Sequence, residues 1–366
     1  FVKADTSNWY NYNNKEWANI VLVSDTVRDK YNNATEGTPI LETDVLAYYV
    51  WIPRYRYQIF YDGVNATSKQ LINIKFESKE TSKSLGTAKT EWLTHPAFTF
   101  GSDELDGIWV GKFEITGSTT TPTIKPNVTS LRNLNVSTFF TTSRKLNYGT
   151  IRDTSMIKNS EWGAVAYLTT SIYGQGLTEI RINNSSTHIT GCAATKGNGS
   201  SYSGCENAYN TTNGVLASTT GNISGIYDMS GGAWEYVMGV MEDSLNSNVP
   251  TSGQTSTLNS GFTGKVICGS AVSNIVGISF PTHKYYDIYK YGTTYNDVAA
   301  YSRCRLGDAT VETRMWNDDY AYIVDYANPW FVRGGGAEQI SISGLFASSN
   351  SHGSSYAIAS TRAVLR

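Results

Sequence analysis

Charge is scarce in this 366-residue chain. Only 16% of its residues are charged, against about 25% in an average soluble protein. The 29 Lys and Arg nearly cancel the 31 Asp and Glu. A net charge of −2 offers no footprint for a phosphate backbone, which excludes a nucleic-acid partner. Long apolar runs are missing as well. The longest, Val45 to Ile52, is far short of the ~20 residues that span a bilayer, which excludes direct membrane insertion. The four cysteines include no C-x-x-C, so zinc and dithiol-redox motifs have no support. No tandem repeat or heptad is present, which excludes solenoids and coiled coils. The composition turns instead to Asn, Ser, Thr, Gly and above all Tyr, with 25 tyrosines beside 9 Trp and 12 Phe. At 40% hydrophobic the chain can bury a large core, which excludes disorder. The balance describes a folded, neutral, polar-surfaced protein of the extracellular kind.

The start, Phe1-Val2-Lys3-Ala4-Asp5, is neither an apolar signal core nor an anchor, and reads as a mature or trimmed form. Cys192 and Cys205 flank a Gly/Ser/Asn-rich stretch, GCAATKGNGSSYSGC. Closing such a loop over about 15 residues is worth ~3 kcal/mol in the chain-entropy account. Cys268 and Cys304 would then form the second pair. Four cysteines allow three pairings, and four buried thiols are the alternative.

Residues 1–44 read as an N-terminal extension or assembly segment, with a strand around Trp17 to Val23. Residues 45–366 read as one domain. Its first strand runs through Val45 to Ile52. After Pro53, arginine and tyrosine alternate, which places them on opposite faces of a strand. Helices are expected over roughly Val136 to Leu146 and over Ser160 to Leu168, the latter N-capped by Ser160. Long polar loops cover 174–222 and 242–262. Such loops in a compact domain are usually functional. The class is α+β, with short strands, two main helices and long loops.

Five segments then occur in a telling order. Gly107-Ile108-Trp109-Val110-Gly111-Lys112-Phe113-Glu114-Ile115-Thr116-Gly117 resembles the F-x-(I/V)-x-K-(Y/F)-E-V-T segment of the formylglycine-generating-enzyme superfamily. Ser160-Glu161-Trp162-Gly163-Ala164-Val165-Ala166-Tyr167 is similar to its E-A-E-W-E-Y-A-A helix. Gly225-Ile226-Tyr227-Asp228-Met229-Ser230-Gly231-Gly232-Ala233-Trp234-Glu235-Tyr236 resembles its G-L-Y-D-M-x-G-N-V-W-E-W signature. Val332-Arg333-Gly334-Gly335-Gly336 resembles R-G-G-S-W, and Ser360-Thr361-Arg362-Ala363-Val364-Leu365 the closing G-F-R-(V/C). The resemblance spans about residues 105–366 and implies a C-type-lectin-like fold. Tyr227, Met229 and Trp234 then read as strand, turn, strand about Ser230-Gly231-Gly232, where glycines admit positive φ. Trp162, Tyr227, Trp234, Arg333, Gly334, Gly335 and Arg362 are expected to be structural, the two arginines holding the strands. The triple glycine lacks the Lys-Ser/Thr of a phosphate-binding loop.

Departures from the superfamily's enzymes point away from catalysis. Those that oxidise a sulfatase cysteine carry reactive cysteines after the R-G-G segment, and Gly336 to Arg366 has none. The iron-dependent sulfoxide synthases need a histidine cluster, whereas His95, His188, His283 and His352 are far apart in sequence. No G-x-S-x-G elbow appears. Asp318-Asp319 or Glu312 are candidate Ca²⁺ ligands, although adjacent aspartates in a polar loop are ordinarily solvated. No cofactor is expected.

The same fold serves the variable ligand-binding proteins that retroelements diversify in phages and bacteria, and the C-terminal texture here resembles theirs. Tyr, Asn, Ser, Asp, Ile and Ala dominate residues 316–360, the candidate variable region. Tyr gives rigid contact area and Ser, Asn and Gly give adaptable hydrogen bonds, as in antibody paratopes. The expected contact residues are Trp316, Asn317, Asp319, Tyr320, Tyr322, Tyr326, Gln339, Asn350, His352 and Tyr356. The partner would be a protein or glycan on another cell or host surface, met by an adhesin or tip protein. An enzyme with a displaced site and a pilus or surface-layer subunit assembling through residues 1–44 are the alternatives.

Overall fold

Two runs, Val45–Pro53 and, apart from Glu235, Trp234–Met241, are apolar throughout because residues on both of their faces enter a core. The computed structural model describes residues 2–3, 9–60, 68–85, 91–148, 152–196, 199, 201–241, 259–262, 281–289, 307–314, 316–325 and 328–366. In the first sheet, β1 (Val2–Lys3), β2 (Asn19–Val23), β3 (Val45–Pro53), β4 (Gly107–Gly111) and β5 (Thr154–Met156) are joined by a late strand. In the second, β6 (Trp234–Met241) lies between β7 (Asp287–Tyr289) and β8 (Trp330–Arg333) and is extended by β9 (Ser348–Ser351) and β10 (Ala359–Thr361). The late strand of the first sheet is β11 (Ala363–Leu365). The orders are β1-β2-β3-β4-β11-β5 and β7-β6-β8-β9, with β10 also paired to β6. The first sheet is antiparallel throughout. In the second, β7 and β10 run parallel to β6. With three α-helices among the described residues, the class is α+β with strands predominating.

Alternation sends neighbouring side chains to two cores. Val50, Ile52, Val237, Phe331 and Val364 pack with Trp162 of helix α3 (Asn159–Thr169) on one side. Ala47, Tyr49, Tyr236, Trp330 and Leu365 pack with Val136 and Phe139 of α2 (Val136–Arg144) on the other. A further helix, Asp25–Asn32, lies outside these cores. The N-terminal 44 residues contribute β2, which pairs along β3, and Trp17, which is buried in the first core.

Asn135 caps α2, accepting from Thr138 N at 3.0 Å. Ser160 does not cap α3. The capping position is Lys158, whose backbone N–H donates to Glu161 Oε2 at 2.8 Å, and the Glu161 carboxylate is held in turn by Arg366. Every residue of α3 is buried, as expected of a helix wrapped on all sides. Nor is the 225–229 segment a strand. Its N–H groups leave the ladder: Tyr227 N bonds Lys112 O, and Asp228, at φ 62°, turns its carboxylate onto Gly191 N and Asn183 Nδ2, each at 2.8 Å.

Gly163 tests this packing. Alanine in a helix interior is normally about 1 kcal/mol better than glycine. Here a Cβ would sit 2.6 Å from Asp308 Cα and closer still to Gly307 O, both backbone atoms. Overpacking costs about 1–3 kcal/mol, so it wins. Gly163→Ala is expected to lower the urea midpoint; a raised midpoint would show that the 307–308 backbone does not lie on the helix.

Cys192 and Cys205 form a disulfide with Cα atoms 5.4 Å apart, tying the 174–222 loops. Cys268 and Cys304 lie outside the described residues. Among the described residues, no helix is long and apolar enough to cross a membrane.

Candidate functional site

Cross-strand pairing collects one strip on the second sheet that runs from the buried second core out to the surface. Tyr236 pairs with Val332, and Val332 with Ser349, so these side chains and Trp234, two residues along, share a face. Ala321 bridges Ser348 in the next extended segment, so Tyr320 and Tyr322 fall on the Ser349 side. Their backbones are held by Tyr320 N to Ile342 O at 3.0 Å, Tyr322 N to Ser348 O at 2.9 Å and Ser348 N to Tyr320 O at 2.7 Å. The two rings stack with centroids 4.8 Å apart and planes 17° apart. Tyr320 also meets Trp234 edge-on at 6.4 Å. Trp234 is 6% exposed, and its indole N–H donates to Gln339 Oε1 at 2.8 Å. On its other side Trp234 N bonds Ile358 O at 2.9 Å, which brings the 356–358 turn alongside. Tyr322, Tyr356 and Ile358 are 39, 41 and 38% exposed.

Beneath the strip lie two arginines, each making four hydrogen bonds. Arg333 donates to Ala347 O, Asn159 Oδ1, Asp308 O and Ala309 O at 2.7–2.9 Å and lies 5.5 Å over the Trp162 ring. Arg362 donates to Glu235, Gly111 O and Tyr227 O. Both are fully buried, as are Trp162 and Tyr227. Gly334 and Gly335 have φ of 84° and 76°.

The expected contact residues divide. Tyr320, Tyr322, Gln339 and Tyr356 belong to the strip. Asn350 pairs with Phe331 and so faces the other side. There its Nδ2 donates to Ile323 O at 3.0 Å and Asp325 Oδ2 at 3.1 Å, pinning the tyrosine segment to β9. Asn317 is half-buried in a left-handed turn at φ 61°, and His352 is half-buried. Tyr326 lies outside the described residues. Trp316 and Asp319 are not surface contacts, being 1% exposed each. Trp316 packs edge-on against Phe346 and Phe60. The Asp319 carboxylate accepts from Phe346 N at 2.8 Å and fills the space a side chain at Gly344 would need. The adjacent acidic residues therefore serve different places. Asp318 is exposed, and Glu312 is buried and accepts the Tyr167 hydroxyl at 2.5 Å.

Burial raises the Asp319 carboxyl to about 7. The folded chain thus holds a proton, between the ordinary carboxylate pKa of about 4 and 7, that the unfolded chain lacks. That contribution is complete at low pH and lost as pH rises through the window. Asp319→Asn removes it. Its stability relative to the parent is expected to improve as pH rises from 5 to 8, by up to about 1.4 kcal/mol per pH unit within the window. Urea midpoints at both pH values check this, and a pH-independent difference would refute it.

Comparison with protein-family models finds none that matches this chain, and comparison with curated proteins finds no match either.

Proposed function

We propose that this chain is an extracellular ligand-binding protein, an adhesin or tip protein of C-type-lectin-like fold, that binds a protein or glycan on another surface through the Tyr320–Tyr322 strip. One observation carries the reading: two tyrosines stacked on each other at the surface, fixed by backbone hydrogen bonds to a buried framework. Aromatic area that is already ordered costs little entropy when it is covered. The Cys192–Cys205 disulfide suits an oxidising compartment. The five-segment resemblance and the texture of residues 316–360 support diversification by a retroelement.

Two experiments test this. Wild-type chain and a Tyr320→Ala, Tyr322→Ala, Tyr356→Ala variant are screened in parallel on a glycan array and on intact host cells; retained binding by the variant removes the site. Downstream DNA holding a near-copy of the codons for 316–360, altered only at adenines and beside a reverse-transcriptase gene, would support diversification, and invariance of those codons across isolates would refute it.

A further inference from the structure

A second concavity lies away from the tyrosine strip, on the first sheet. The N-terminal segment and the 209–224 loop enclose a cleft of about 660 Å³, within the range of small-molecule sites. Its lining includes Trp9, Trp17, Ile40, Tyr48, Tyr209 and Ile223, and one exposed carboxylate, Glu16. At its floor is Lys112, the residue that follows β4. Its backbone is held at both ends, by Lys112 N to Tyr48 O and Tyr227 N to Lys112 O, each at 2.9 Å.

The side chain is 5% exposed. Its Nζ donates to Asn19 Oδ1 at 2.7 Å and Ile223 O at 2.5 Å. An ammonium has three N–H donors and no acceptor, so these two partners leave one donor over. Among the described residues no carboxylate pairs with it. A buried charge is ordinarily paired, and burial alone pushes Lys112 down to about 7. An anion entering the cleft would supply the missing counter-charge.

We propose that this cleft binds a small carboxylate with an aromatic or branched aliphatic body, its carboxylate accepting the third N–H of Lys112 and its body lying between Trp9, Tyr48 and Tyr209. The lining selects this class. The one buried lysine matches a monoanion, whereas a phosphate would bring a second charge and several acceptors to a site whose walls are mostly apolar and already carry the exposed Glu16 carboxylate.

The test uses phenylacetate, 4-phenylbutyrate and isovalerate, each beside its neutral amide, titrated calorimetrically into the full chain. The acids are expected to bind saturably and about tenfold more tightly than the amides, the effect of one charge-assisted hydrogen bond. Lys112→Met should erase that preference. Should that variant fail to fold, Ile223→Glu serves instead. Ile223 is 50% exposed, so the fold tolerates the change, while the new carboxylate competes for Lys112 and should weaken acid binding by about tenfold or more. Equal affinity for acid and amide, no saturable binding of any acid, or undiminished acid binding by Ile223→Glu would overturn the proposal.

Discussion

Arg362→Met is expected to cost the fold about 3–5 kcal/mol, the usual penalty for removing one partner of a buried ion pair. That is a large share of a total that rarely exceeds about 15 kcal/mol. Arg362 is the single residue between β10, in the second sheet, and β11, in the first. Its guanidinium joins both sheets, through Gly111 O at 2.7 Å at the end of β4 and Glu235 Oε1 at 2.5 Å in β6, and it also takes Tyr227 O at 2.7 Å. Methionine fills much of the volume but strands two carbonyls and a carboxylate. Burial already raises Asp228 and Glu235, and Arg362 is the largest influence pulling each back down. Without it these carboxylates must take up protons to stay buried, so the variant should lose least at pH 5 and most at pH 8. Adding Glu235→Gln should return part of the loss. Chemical denaturation of the single and double variants at both pH values is the measurement. A single variant within 1 kcal/mol of the parent at pH 8, below the range for a buried pair, would show that the two sheets are not joined here.

Much of this framework was legible in the sequence, for identifiable reasons. The run Val45–Ile52 and the end of the signature segment, Trp234-Glu235-Tyr236, carry dense apolar and aromatic side chains; the first forms most of β3 and the second begins β6. Both main helices begin within a residue of the expected position. What escaped was whatever depends on distant partners. Trp316-Asn317-Asp318-Asp319 reads as a polar loop. Phe60 and Phe346, remote in sequence, bury its tryptophan, and the N–H of Phe346 draws its second aspartate inward. Local composition holds no trace of that. The turn at Asp228 escaped likewise, because its left-handed backbone is stabilised by Gly191 and Asn183. The Lys112 cleft is assembled from segments 9–48 and 209–224, and sequence periodicity is silent on such a meeting. Asn350 was legible as a polar residue in the right place, but only pairing register shows that it braces the strip from behind.

The same distinction governs the second large effect expected, on binding. Tyr320→Ala, Tyr322→Ala and Tyr356→Ala together should abolish ligand or host-cell attachment. Interface tyrosines that act as anchors are each worth about 2 kcal/mol or more, so losing even two weakens binding by roughly a thousandfold. Stability should respond differently to each. Tyr322 and Tyr356 are 39 and 41% exposed, and substitutions at such positions usually change stability by no more than about 0.5 kcal/mol. Tyr320 is half-buried against Trp234, and losing that ring contact costs about 1 kcal/mol. Asn350→Ala should do the reverse of Tyr322→Ala. It removes the tie to Ile323 and Asp325, loosening the segment that carries the tyrosines without removing any ring. Affinity then falls through slower ordering rather than lost contact, and the association rate should drop more than for Tyr322→Ala. Surface plasmon resonance on the captured ligand separates the two. If the triple variant binds at full affinity with its melting temperature intact, the strip is only a surface feature, and the ligand meets the protein elsewhere.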